Sequence, residues 1–181
     1  MLVTPLALPE IKLIEPDYFI DFRGYFCESY SKRTLEEYGI RADFVQDNHS
    51  LTLKKGTIRG IHFQRAPHPQ SKLVRCIRGR IMDVAVDLRQ NSPTFRQWVS
   101  AELTAENHRQ LWIPAGFGHG FITLEDNCEV QYKTDAFYDP ACDGGIAWND
   151  PEIAVDWGID APILSPKDAA SPVLAGSGVN F

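Results

Sequence analysis

The sequence predicts an all-β sandwich or barrel with a few short peripheral helices. From about Phe44 to Tyr138, short apolar runs rich in Val, Ile, Phe and Trp alternate with Gly, Pro, Asn and Asp, the punctuation that strands and turns require. One segment only carries a clear helix signature. No helical pattern separates the apolar runs, which excludes a parallel α/β sheet built from strand–helix–strand units.

Taken in order, SKRTLEEYG is the helix: Ser31 caps its N-terminus, Leu35 and Tyr38 share a face, and Gly39 ends it. KLVRCI, then RGR, then IMDVAVDL read as a hairpin. QWVSAEL, QLWIPAG, GFITLE and CEVQYKT continue the strand succession. From Pro151 onward Pro, Ala and Gly become frequent, which predicts an irregular wrap over the barrel with a tail near Ser171–Phe181. The expected organisation is a single domain over 1–181, with a core barrel at about 44–140 and the C-terminal wrap at about 151–181.

The 181 residues suffice for one sizeable core, and 44% hydrophobic with 23% charged residues is the composition of an ordinary globular chain, which excludes wholesale disorder. A net charge of −6 argues against a nucleic-acid surface. A local cluster of cations can still hold an anionic small ligand. MLVTPLALPE has no signal-peptide pattern and no run approaches the ~18 apolar residues of a membrane span, so a cytoplasmic protein is expected. Cys27, Cys76, Cys128 and Cys142 form no CxxC pair and are expected to be reduced, structural thiols.

The chemistry concentrates in RGIHFQRAPHPQSKLVR, Arg59 to Arg75, which holds two histidines, three arginines and a lysine in a chain that is acidic overall. Burying Arg59, Lys72 and Arg75 without an anion would be costly, so these cations imply an anionic ligand. His62 suits a general base, since imidazole titrates near neutrality; an isolated histidine can equally be a satisfied interior residue. In LSPKD, Asp168 could orient that imidazole, although Pro-Lys-Asp on its own reads as a surface turn.

IPAGFGHGF sets Pro114, Gly116 and His119 in a P-x-G-x-x-H pattern that resembles the second motif of the cupin jelly rolls. Cupins commonly hold a metal with an H-x-H pair, a Glu and the later His. Here the pair reads His62-Phe63-Gln64, and an amide replaces one imidazole donor. A cupin-type jelly-roll barrel with no metal is therefore expected.

DFRGYFCE, FVQDNHS, TIRGIHFQ, SKLVR, VDLR, IPAGFGHGF, QYKTDAFYDP and GIAWNDP follow one another in this order. The succession, from about Pro5 to Pro172, resembles the dTDP-4-dehydrorhamnose 3,5-epimerases. The resemblance implies cofactor-free inversion of C3 and C5 of a dTDP-linked 4-keto-6-deoxy sugar. It implies His62 as base, Asp168 as its orienter, Lys72 at the enolate oxygen and Tyr132 as proton donor. It implies that Arg23, Glu28, Gln46, Asp47, Asn48, Arg59, Lys72, His119 and Lys167 bind the nucleotide sugar, with Tyr138, joined by Phe26, against the thymine. Asp143 stands where many members have Glu, a methylene longer. Arg65 and His68 are expected in loops; His49 and His108 are expected to be structural or on the surface.

The resemblance also implies a homodimer in which residues near Arg23 to Glu28 enter the neighbour's pocket. An epimerase acting at C3 or C5 only stays open. A metal-dependent cupin is opposed by His62-x-Gln64, and a non-catalytic sugar-binding cupin by the joint presence of His62, Lys72, Tyr132 and Asp168.

Overall fold

The computed structural model describes all residues, 1–181. The strands are, in chain order, β1 (Leu2–Pro5), β2 (Lys12–Glu15), β3 (Tyr18–Asp21), β4 (Gly24–Cys27), β5 (Gln46–Thr52), β6 (Ile58–Gln64), β7 (Lys72–Arg78), β8 (Arg80–Asp87), β9 (Trp98–Thr104), β10 (Gln110–Ile113), β11 (Phe117–Thr123), β12 (Cys128–Thr134) and β13 (Asp143–Gly145). Helix α1 covers Lys32–Glu37 and α2 covers Pro166–Ala169. One antiparallel sheet runs β1-β2-β10-β7-β12-β5, a second runs β13-β6-β11-β8-β9, and β3–β4 stands apart as a hairpin.

Alternation along the strands sends Val74, Cys76, Leu111 and Val130 of the first sheet against Ile81, Ala85, Leu103 and Phe117 of the second, forming the barrel core. The second sheet is apolar on its other face too. There Ile58, Ile61, Val84 and Val86 meet Ile146, Ile153, Trp157 and Leu174 of the C-terminal segment. Each such buried side chain contributes roughly 1.5–3 kcal/mol relative to exposure, which holds a segment with almost no regular structure against the barrel. Asp150 strengthens the attachment by accepting from the amides of Glu152, Ile153 and, at 2.6 Å, Leu174.

Four expectations need correction. The segments around RGR do not form a hairpin: β7 and β8 lie in different sheets, because Gly79 alone joins them and one residue cannot reverse a chain into a paired ladder. Gly79, at φ +74°, instead steers the chain across the barrel, where a Cβ would lie 2.8 Å from Cys128 Sγ. Tyr38 does not share the buried face of α1; it is the C-cap and 39% exposed, while Leu35 packs with Ile14 and Trp112. Sheet structure begins well before Phe44, in β1 to β4. The tail is docked, with the Phe181 ring 5.9 Å from that of Phe63 and its carbonyl accepting from the Gln90 amide.

All four cysteines are free thiols. No helix is long and apolar enough to cross a membrane.

Candidate active site

A β-bulge organises the site. Across the β6–β11 ladder His119 pairs with His62 and Phe121 with Arg59, so β6 carries one more residue than β11 over this stretch. The extra residue resets the alternation, and Arg59 and His62, three apart, both face the barrel interior. Gly60 makes this possible: its φ is +125°, and a Cβ there would lie 2.6 Å from the Gly120 Cα.

His62 Nε2 is 2.5 Å from Asp168 Oδ1, across 106 residues of chain. Asp168 is held by the start of α2, where the Ser165 hydroxyl accepts from the Asp168 amide at 3.0 Å and donates to Asp168 Oδ2 at 2.8 Å. LSPKD is thus a capped helix start, not a surface turn. Burial alone would raise the Asp168 pKa, but the hydrogen bond and charge of His62, the Ser165 hydroxyl and the Lys167 ammonium outweigh it and hold the carboxyl below its usual range. An ionised carboxylate only accepts, so Nε2 is the donor in this pair, and in the neutral form of the ring the free lone pair is on Nδ1.

Lys72 and Tyr132 come from the opposite sheet. The Lys72 ammonium lies 5.8 Å from the centroid of the Tyr132 ring, and the Tyr132 and His119 ring centroids are 6.4 Å apart. Burial brings the Lys72 pKa down to about 8, partly offset by Asp83 and Asp143. Burial pushes the Tyr132 pKa up, so its phenol holds its proton at neutral pH. His119 has a pKa lowered by burial, although Nε2 sits 2.8 Å from Asp83 Oδ1. Together with Arg59, Lys167, Ser50, Phe121 and Ser165, these groups line one cavity of about 270 Å³.

A cavity with a carboxylate-backed imidazole on one sheet, an ammonium and a phenol on the other, and further cations at its edge can move protons at an acidified carbon of an anionic ligand. The family model described as dTDP-4-dehydrorhamnose 3,5-epimerase matches residues 5–176.

The chain belongs to this family.

It is 52% identical over 176 residues to the dTDP-4-dehydrorhamnose 3,5-epimerase of Salmonella typhimurium, covering 96% of each chain. The crystal structure of the Bacillus anthracis dTDP-4-dehydrorhamnose 3,5-epimerase with TDP and PPi bound superposes with a TM-score of 0.93 at 49% identity, over 95% of this chain and 98% of that one. The Legionella pneumophila RmlC, crystallised with dTDP-4-keto-L-rhamnose, gives a TM-score of 0.92 at 44% identity, over 97% and 93%. The two-sheet barrel is accordingly the cupin-type jelly roll of these epimerases.

Within this epimerase-family chain the remaining candidates divide. Arg59 reaches the cavity from β6 while its Nε donates to Thr52 Oγ1 at 2.9 Å. Lys167 pairs with Asp143, whose Oδ2 is also 3.5 Å from the Tyr138 hydroxyl, so these three form one rim. Gln46 and Asn48 share the inward face of β5 and are hydrogen-bonded at 3.0 Å; Gln46 Oε1 also accepts from the Tyr138 amide.

Asp47 points the other way, to Lys133 at 2.9 Å, because strand alternation opposes it to its two neighbours, so its side chain does not face the cavity. Arg23 and Phe26 lie in the exposed β3–β4 hairpin and Glu28 just beyond it, none of them in the cavity wall of their own chain. Arg75 is corrected as well: it bonds Gln131 on the outer face of the first sheet, where it lines a separate depression with Ser29 and Gln110. Gln64 is buried and satisfied, donating to the carbonyls of His68 and Phe137 and accepting from the Asp139 amide.

Sequence reasoning missed Ser50, Phe121, Ser165 and, behind His119, Asp83. For Asp83 a signal existed, a carboxylate flanked on both sides by apolar residues within IMDVAVDL.

Proposed function

We propose that this chain is an isomerase that converts dTDP-4-dehydro-6-deoxy-D-glucose to dTDP-4-dehydro-L-rhamnose by inverting C3 and C5. The observation that supports it most is the pairing of His62 with the ionised Asp168 on one wall of a cavity whose other wall carries Tyr132 and Lys72. C3 and C5 both flank the C4 carbonyl, so removal of either proton delocalises its electron pair onto the same oxygen. His62 Nδ1 takes the proton, and the Lys72 ammonium meets the charge developing on the oxygen. The Tyr132 phenol returns a proton to the opposite face, which inverts the centre. The carbonyl itself supplies the acidity, so this sequence of proton transfers calls for no cofactor and no metal.

Arg59, His119 and Lys167 suit the diphosphate and sugar, with Gln46, Asn48 and Tyr138 toward the thymine. The hairpin leaves Phe19, Ile20, Phe22, Tyr25 and Phe26 all more than half exposed, which supports a homodimer in which Arg23, Phe26 and Glu28 serve the partner's cavity. Four free thiols suit the cytoplasm, where we place the enzyme.

The test is incubation with dTDP-4-dehydro-6-deoxy-D-glucose in heavy water, following deuterium at C3 and C5 by NMR. Label at both carbons is expected. Label at one carbon selects a mono-epimerase, and label at neither overturns the proposal.

A further inference from the structure

Asp83 is completely buried on β8, in the row of inward-facing positions that also holds Ile81 and Ala85. Its Oδ1 accepts from His119 Nε2 at 2.8 Å, while Oδ2 is buried with no hydrogen-bond partner. An unsatisfied buried acceptor costs about 1–3 kcal/mol, and a third apolar side chain would fill this row without that cost. Lys72 across the barrel is likewise buried, and it takes part in none of the fold's direct ion pairs.

We infer that Asp83 is a positioning residue that acts through two neighbours, holding the His119 ring by Nε2 and serving as the counter-charge of the Lys72 ammonium. The inference rests on the proposed epimerase reading. Around Lys72 the charged and titratable groups are Asp83 on β8, His119 on β11, Arg59 and His62 on β6, Tyr132 on β12, Asp143 on β13, and Lys167 and Asp168 on α2. Among the groups that act on the Lys72 charge, Asp83 is the largest favourable one, ahead of Asp143, and Lys167 opposes them. Asp143 is already neutralised by Lys167, which leaves Asp83 with an uncommitted oxygen. Two consequences follow for the reaction: an ammonium remains available where an enolate oxygen forms, and His119 presents Nδ1 to the cavity as an acceptor.

The experiment is the pH profile of kcat for Asp83→Asn in the full chain, with KM measured alongside. The alkaline limb is expected to move to lower pH by about one unit, with kcat at pH 8 falling about fivefold and KM little changed. A uniform loss at every pH with an unmoved limb is what a structural role alone would give, and it would overturn the inference. A second measurement needs neither a variant nor turnover: [13C]lysine and [15N]histidine spectra of the unaltered protein through pH 6–10. The His119 Nε2 resonance is expected to stay protonated and to inflect at the Lys72 midpoint; no inflection there overturns the coupling. Absence of deuterium exchange in the unaltered enzyme would sink the epimerase reading while leaving this titration to judge Asp83 separately.

Discussion

His62 and His119 face each other directly across the β6–β11 ladder, and each gives its Nε2 to a different carboxylate, Asp168 at 2.5 Å and Asp83 at 2.8 Å. Their burial separates their tasks. The His62 side chain keeps 31% of its surface, open to the cavity, whereas that of His119 keeps 7% and has its basicity lowered by burial. In the proposed function the first imidazole exchanges protons and the second holds the ligand still.

His62→Ala and Tyr132→Phe each remove one proton carrier and little packing. Turnover is expected to fall ~10²–10⁴-fold in each. Isothermal titration with dTDP should show affinity within a few fold of the parent, and a loss confined to affinity would contradict the assignment.

Lys72→Met separates catalysis from stability. The folded-state pKa of about 8 lies below the ordinary 10.5, so below pH 8 folding confines a charge in a buried site, and the unfolded chain binds the proton more tightly. Stability therefore rises with pH between about 8 and 10.5, as the unfolded state binds more protons there. The Met variant is spared the cost of burying the ammonium but leaves Asp83 without its counter-charge, so at pH 7 it should lose about 10²–10³ in rate with little net change in stability by denaturant unfolding. Parent activity should decline above about pH 8, where the ammonium is lost.

Gly60→Ala tests the bulge. With φ at +125° and a backbone atom 2.6 Å from the new Cβ, nothing at the end of a flexible side chain can yield. Calorimetry should show a loss of about 1–3 kcal/mol or more, with kcat falling further than His62 contacts alone predict, because Arg59 and His62 lose their common face.

The hairpin predicts complementation between chains. If Arg23 serves the partner's cavity, a mixed dimer of Arg23→Ala and His62→Ala chains contains one intact site. Co-refolding the two variants should restore a substantial fraction of parent activity; no recovery would place Arg23 in its own chain's site or in none.

Much was legible before any coordinates. Period-two patterning and turn residues mark nearly every strand from β5 to β12, because a half-buried strand must alternate and a turn must use Gly, Pro, Asn or Asp. Strands β1 to β4 were not legible: they are only four residues each, too short for alternation to stand out. Arg75 was misplaced for a related reason, since proximity in sequence to a site residue says nothing about which strand face a side chain takes.

By itself the sequence determined an all-β chain, its ordered motifs and hence its family, and the residue types on which the proposed proton transfer depends. Tertiary structure alone decided that Gly79 sends β7 and β8 into different sheets, that Gly60 turns Arg59 and His62 to one side, and that Asp168 reaches a histidine 106 residues away. The physical reason is that alternation is a local property whereas inside and outside are not: which face is buried is settled by hydrogen bonds between distant strands, and a single extra residue reverses it.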